Sequence, residues 1–126
     1  MERIIPSTPG APPPLSDDFA GAKVFLKNRH LCIAADLAQQ AFGAAQQVYA
    51  VYYANLNALL LAPSDDQLFK QAHECAMIML KTRTAQGDKS LSLEEILLDH
   101  DIAEGDRRLD YVAAPGLRML QVKMGG

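Results

Sequence analysis

The chain contains no tryptophan, and only four phenylalanines and four tyrosines among its 126 residues. So few rings oblige any core to be assembled from Leu, Ala, Val, Ile and Met, a composition suited to helices meeting at close range. Cysteine is equally scarce. Cys32 and Cys75 are the whole complement, each within an apolar pattern, and they read as two buried free thiols in a reducing compartment. A net charge of −3 supplies no general attraction to nucleic acid or to an anionic membrane surface. No apolar run reaches membrane-spanning length, because Asp36, Gln39, Gln40, Gln46, Gln47, Asn55 and Asn57 interrupt the stretch from Leu31 to Ala62. Near the start, Ile4-Ile5 gives way at once to Pro6, Pro9 and Pro12, so no targeting segment is read there. The expectation is a soluble cytoplasmic protein. There is also no phosphate-binding glycine loop, no Rossmann fingerprint and no Ser-His-Asp spacing, which leaves an enzyme without visible machinery.

Backbone breakers are missing where they matter most. From Asp17 to Ala62 there is no proline, and Gly21 and Gly43 are the only glycines. Ala, Leu and Gln dominate this stretch and predict helix almost throughout. A single straight helix over 17–62 would be about 69 Å long, whereas a domain of this size has a radius of gyration of about 14 Å. The tract is therefore either one helix that finds a partner or two that fold back. Lys27-Asn28-Arg29-His30, four polar residues in a row, is the place for a bend. Beyond it, Leu31, Ala35, Ala38, Phe42, Ala45, Tyr49, Tyr52, Leu56 and Leu59 follow steps of four and three, the seam of an amphipathic helix over about 31–61. Pro63 stops it. Ser64, Asp65 and Asp66 predict the start of a third helix, about 65–85, with Lys81 and Arg83 in its last turn and Met77 on its outward side. Ser92 and Glu95 form a capping box for a short fourth helix, about 93–103.

The ends differ in character. Residues 1–15 hold five of the seven prolines and read as a disordered tail. The end of the chain, 113–126, reads as irregular or as one short strand, with Leu120, Val122 and Met124 alternating against Gln121 and Lys123. The predicted organisation is a tail (1–15), a helical bundle domain (16–112) and an irregular C-terminal tail (113–126). The fold class expected is all-α, a small bundle of three main helices plus a short fourth.

Chemistry is thin. Asp99, His100, Asp101, Glu104 and Asp106 are the densest set of metal-ligand types, but an EF-hand loop from Asp99 lacks the required glycine and final glutamate. His73 and Cys75 have no second ligand one turn away, so zinc is not expected. No cofactor and no catalytic residue is assigned. The leading expectation is a non-catalytic protein-binding module (adaptor, chaperone or macromolecular inhibitor) that forms a homodimer, with Tyr49, Tyr52, Tyr53, Met77, Leu120, Val122 and Met124 as partner-binding residues. Tyr is favoured in such roles for its large apolar body and polar tip. The alternative is a small DNA-associated regulator in which 90–112 forms a helix-turn-helix and Arg107 and Arg108 meet phosphate. Asp106 and Asp110 beside those arginines argue against nucleic acid.

Overall fold

The tract without breakers folds as two hairpins flanking one short helix. The computed structural model describes residues 21–113 and 118–124. Strands β1 (Val24–Lys27) and β2 (His30–Ile33) pair antiparallel, with Lys27 opposite His30. The two residues between them, Asn28 and Arg29, have φ of 51° and 64°. Two left-handed residues in a two-residue loop give the turn whose twist matches a hairpin. The polar cluster does bend the chain, as a β-turn between strands and not as a gap between helices. Helix α1 (Ala35–Phe42) follows and buries Leu37, Ala38, Ala41 and Phe42. Then come β3 (Gln47–Tyr53) and β4 (Ala58–Pro63), joined by a loop in which Leu56 N–H donates to Tyr53 O and Asn57 N–H to Ala54 O. Asn57 takes φ 48°. Asparagine supplies the left-handed positions that glycine would otherwise fill, so a lack of Gly and Pro did not forbid turns.

The remainder is built from short pieces: α2 (Gln67–Ala72), β5 (Ala76–Met79), β6 (Lys81–Thr82), β7 (Lys89–Ser92), α3 (Glu94–Asp99), β8 (Arg107–Arg108), β9 (Tyr111–Val112) and β10 (Leu120–Lys123). The strands form two antiparallel sheets, in the orders β6-β7-β2-β1-β8 and β5-β3-β4-β10-β9. Only Leu80 separates β5 from β6, and only Leu109 and Asp110 separate β8 from β9. Both corners stay hydrogen-bonded: Leu80 N–H donates to Gln46 O, Leu109 N–H to Val24 O, and Lys123 N–H to Asp110 O. Each flank of the first sheet thus continues into the second, and the ten described segments wrap one core as a barrel that stays open along the outer side of β5.

The all-α expectation is overturned by these two sheets. Alternation explains why. Val24 and Leu26 point into the core while Phe25 and Lys27 point out; Leu59 and Leu61 point in while Leu60 points out. Val48, Tyr49, Val51, Tyr52 and Tyr53 are β-branched or aromatic and favour strand. The Leu-rich β4 would be a fair helix in isolation, but it is a central strand with β3 and β10 on its two sides, so packing overrides propensity. The predicted third helix survives only as α2, capped by Asp66, whose carboxylate accepts Phe69 N–H at 3.0 Å. Of the fourth helix, 94–99 is present. The C-terminal strand has partners within the chain after all: β10 lies between β4 and β9, which joins 120–124 to the same core as the rest. The expected tail at 1–15 lies outside the described residues.

Candidate functional site

Strand β5 is the last of its sheet, and it is shorter than the strand it pairs with. Register runs from Gln47 opposite Met79 to Ala50 opposite Ala76, so Val51, Tyr52 and Tyr53 continue past the start of β5. Backbone direction follows from two bonds. Leu80 N–H donates to Gln46 O, and Ser64 N–H donates to Gln47 O, so successive carbonyls of this segment face opposite neighbours. Alternation then aims Ile78 and Ala76 at β3, and turns the N–H and C=O of Met77 and Met79 the other way. That free side opens on α3. A hollow of about 310 Å³ lies between β5 and Ser92, Glu95, Ile96 and Asp99. A second, of about 500 Å³, lies beyond the start of β5 and is lined by Tyr52, Tyr53, His73, Glu74 and His100. Ala76, Ile96 and Asp99 line both, making one trench.

The trench has an apolar lip and a polar end. Met77 and Met79 are 54% and 56% exposed. At the polar end, Tyr53 Oη and His73 Nδ1 are hydrogen-bonded, and Phe69 of α2 packs on the other side of the His73 ring at 4.5 Å. Tyr52 Oη donates to Asn57 Oδ1 at 2.6 Å while its ring lies 4.9 Å from that of His100. Both hydroxyls are therefore engaged in positioning, and the end wall is a fixed aromatic surface.

The predicted partner-binding residues separate into two groups. Tyr52, Tyr53 and Met77 border the trench. Tyr49 is buried under α2 against Ala62 and Phe69. Leu120, Val122 and Met124 are corrected from surface to core: all three are at most 2% exposed and fill the barrel, so they are closed to a partner. The helix-turn-helix is also corrected, because 90–112 folds as β7, α3, β8 and β9. Arg107 is spent inside the molecule. Its Nη1 donates to Ala103 O at 2.9 Å and Gly105 O at 2.7 Å, and its Nη2 to Met124 O at 2.8 Å, tying the loop after α3 to the end of β10. Arg108 is an exposed residue of β8 opposite Phe25. In the acidic stretch, Asp106 Oδ1 accepts Asn28 N–H at 2.9 Å and Glu104 lies 3.9 Å from Arg29. Among the described residues no group of three or more His, Cys, Asp or Glu side chains is placed to hold a metal.

Both cysteines are free thiols, Cys32 buried and Cys75 half-buried. Burial raises the pKa of each above its ordinary 9.0, with Arg83 opposing at Cys32 and Lys70 at Cys75. Sequence reasoning missed Met79 and His100 as residues of the trench, because it placed 65–85 in one helix and 93–103 in another. The available signal was the short continuous apolar run from Cys75 to Leu80, which fits a strand as well as a helix segment. Among the described residues no helix is long and apolar enough to cross a membrane. Comparison with protein-family models, with curated proteins and with solved structures finds no match, so the function must be sought in the trench itself.

Proposed function

We propose that the chain is a protein-binding module that captures an extended segment of another protein by strand addition along β5. The observation that carries this reading is the free edge of β5, where Met77 and Met79 present unpaired backbone groups and exposed side chains to a trench. Strand addition draws affinity from main-chain hydrogen bonds and specificity from pockets beside alternate side chains. Two residues facing outward offer two N–H and two C=O groups. Methionine adapts its shape to varied partners, and the aromatic end wall suits one anchoring side chain. A second copy of the chain also offers a suitable segment, since antiparallel pairing of β5 with its twofold mate sets Met77 against Met79.

The test begins with decapeptides selected from a displayed random library on the purified protein. Amide shifts at Met77, Met79 and Tyr52 are expected when a selected peptide is added to isotope-labelled protein. Met77→Pro removes the outward N–H at a position where an edge strand tolerates proline, and is expected to weaken binding at least tenfold while the melting temperature stays within a few degrees. Peptides that bind without moving these amides, or that bind the proline variant equally well, sink the reading. Light scattering on the chain alone identifies the case in which the captured segment is β5 of a second copy.

A further inference from the structure

The outer face of the first sheet carries a second site, independent of the trench. Register sets Lys81, Ser90, Cys32 and Phe25 in one row across β6, β7, β2 and β1, and Ser92, His30 and Lys27 in the next. They face away from the core because their strand neighbours Leu26, Leu31 and Leu91 are buried inside it. Two hollows of about 230 Å³ and 300 Å³ lie on this face and share Lys27 and Arg83, so they adjoin. The first has Ala22, Phe25, Ile33 and Ala34 among its walls, with Lys89 at its rim. The second is polar, lined by Asn28, His30, Lys81 and Ser90.

Three cations therefore face one groove: Lys27, Lys81 and Arg83; Lys89 alternates to the other face of β7, where its Nζ donates to Thr82 Oγ1 at 2.7 Å. None of the three enters the ion pairs found among the described residues, which join Lys23 to Asp36, Arg29 to Glu94 and Glu104, and Arg118 to Asp65. The one carboxylate in the lining, Asp88, is already engaged, with Oδ1 accepting Ala35 N–H at 2.8 Å. Arg83 is held in place across the join: its N–H donates to Asp88 O at 2.7 Å and its Nη1 to Cys32 Sγ at 3.4 Å. In a chain of net charge −3, three cations face this groove against the single lining carboxylate of Asp88, which leaves a local positive excess that an anion would relieve. Guanidinium, ammonium and hydroxyl donors around a polar hollow are the donor set that phosphate takes, and the apolar hollow next to it receives what the phosphate is attached to.

The geometry points to a groove for a phosphate monoester bearing an apolar or aromatic group, of about mononucleotide size. Its phosphate meets Lys81, Arg83 and Lys27, and its apolar end lies toward Phe25 and Ala22. Small-molecule sites of about 300–1,000 Å³ are typical, and the joined hollows fall in that range.

The experiment titrates the full chain with 1-naphthyl phosphate and with adenosine monophosphate, followed by calorimetry. Inorganic phosphate, 1-naphthol and a ten-residue thymidine oligonucleotide serve as comparisons. Either ester is expected to bind at least tenfold more tightly than inorganic phosphate or naphthol. Lys81→Ala and Arg83→Ala, both at exposed positions, are each expected to weaken the ester about tenfold with melting unchanged. Bound ester is also expected to slow alkylation of Cys32 and not of Cys75. Three results overturn the proposal: no ester binding, ester binding unaltered in both variants, or an oligonucleotide that binds more tightly than the esters with a steep salt dependence. The last would mark a nucleic-acid surface instead. Failure here leaves the β5 edge untouched, since neither Lys81 nor Arg83, the residues varied, lines the trench.

Discussion

The outer faces of the two sheets follow the same alternation and serve opposite ends. On the second sheet, the outward residues Tyr49, Val51, Leu60 and Ala62 are apolar, and α2 closes over them through Phe69, with Cys75 and Met119 at the margin. On the first sheet, the outward residues include Lys27, His30, Lys81, Ser90 and Ser92. One face has become a second small core. The other has kept its charge at the surface. Where two sheets share one core, the outside of each is free for either purpose, and side-chain chemistry decides which. The largest test of this contrast is a matched pair of truncations. Phe69→Ala should cost about 3 kcal/mol, as for a large ring removed from a packed site, and should shift the urea midpoint accordingly. Lys81→Ala should change stability by less than about 0.5 kcal/mol. Comparable losses at both positions would mean that the cationic face is structural too.

A smaller effect bears on the helix alone. Asp66 is the cap of α2, and its carboxylate holds Phe69 N–H at 3.0 Å. Asp66→Ala is expected to destabilise by about 1 kcal/mol and to raise hydrogen exchange in 67–72 without altering the amides of β7 or β2. If exchange rises equally on both sheets, the covered face is not a separate local unit.

The same contrast explains what could be read from the sequence. The turn at Lys27–His30, the short helix after Ser92 and the alternation of Leu120 with Val122 were all visible, because each rests on a few neighbouring residues. The barrel was not. Its pairings join Val24 to Ile33, Leu61 to Leu120 and Phe25 to Arg108, separations that no local pattern encodes. The seam of fours and threes from Leu31 to Leu59 collected residues that are indeed mostly buried, but from β2, α1, β3 and β4 in turn. A strand's period of two and a helix's period of 3.6 agree on enough positions in an Ala- and Leu-rich tract to be confused. The trench was half legible. Tyr52 drew notice as a seam tyrosine, Tyr53 as one beside the seam and Met77 as an outward residue, whereas the open backbone of β5 is a property of pairing and has no residue signature. The cationic groove was hidden for the same reason. Lys27 lies more than fifty residues from Lys81 and Arg83, and Lys81 and Arg83 in a helix would have been an ordinary last turn.

The finest discrimination comes from the two thiols, which fall one on each outer face. Cys75 is half-buried beside Phe69 and α2, and Cys32 is buried beneath Arg83. Burial is the first cause of the raised pKa at both, and at Cys32 Arg83 works against it. A thiol whose pKa rises on folding holds its proton more firmly in the folded chain. Its contribution to stability is complete below the unfolded value near 9.0 and is lost as the pH climbs through the higher folded value. The reactive species is the thiolate, so at pH 8 iodoacetamide should modify Cys75 several-fold faster than Cys32, and the Cys32 rate should climb steeply above about pH 9. Arg83→Gln keeps most of the side chain but removes the charge, and should slow Cys32 further while Cys75 is unaffected. If Cys32 proves the faster of the two in the native chain, the guanidinium outweighs burial. The bare face would then hold an activated thiol under its cations, and the contrast between the sheets would be one of reactivity as well as of charge.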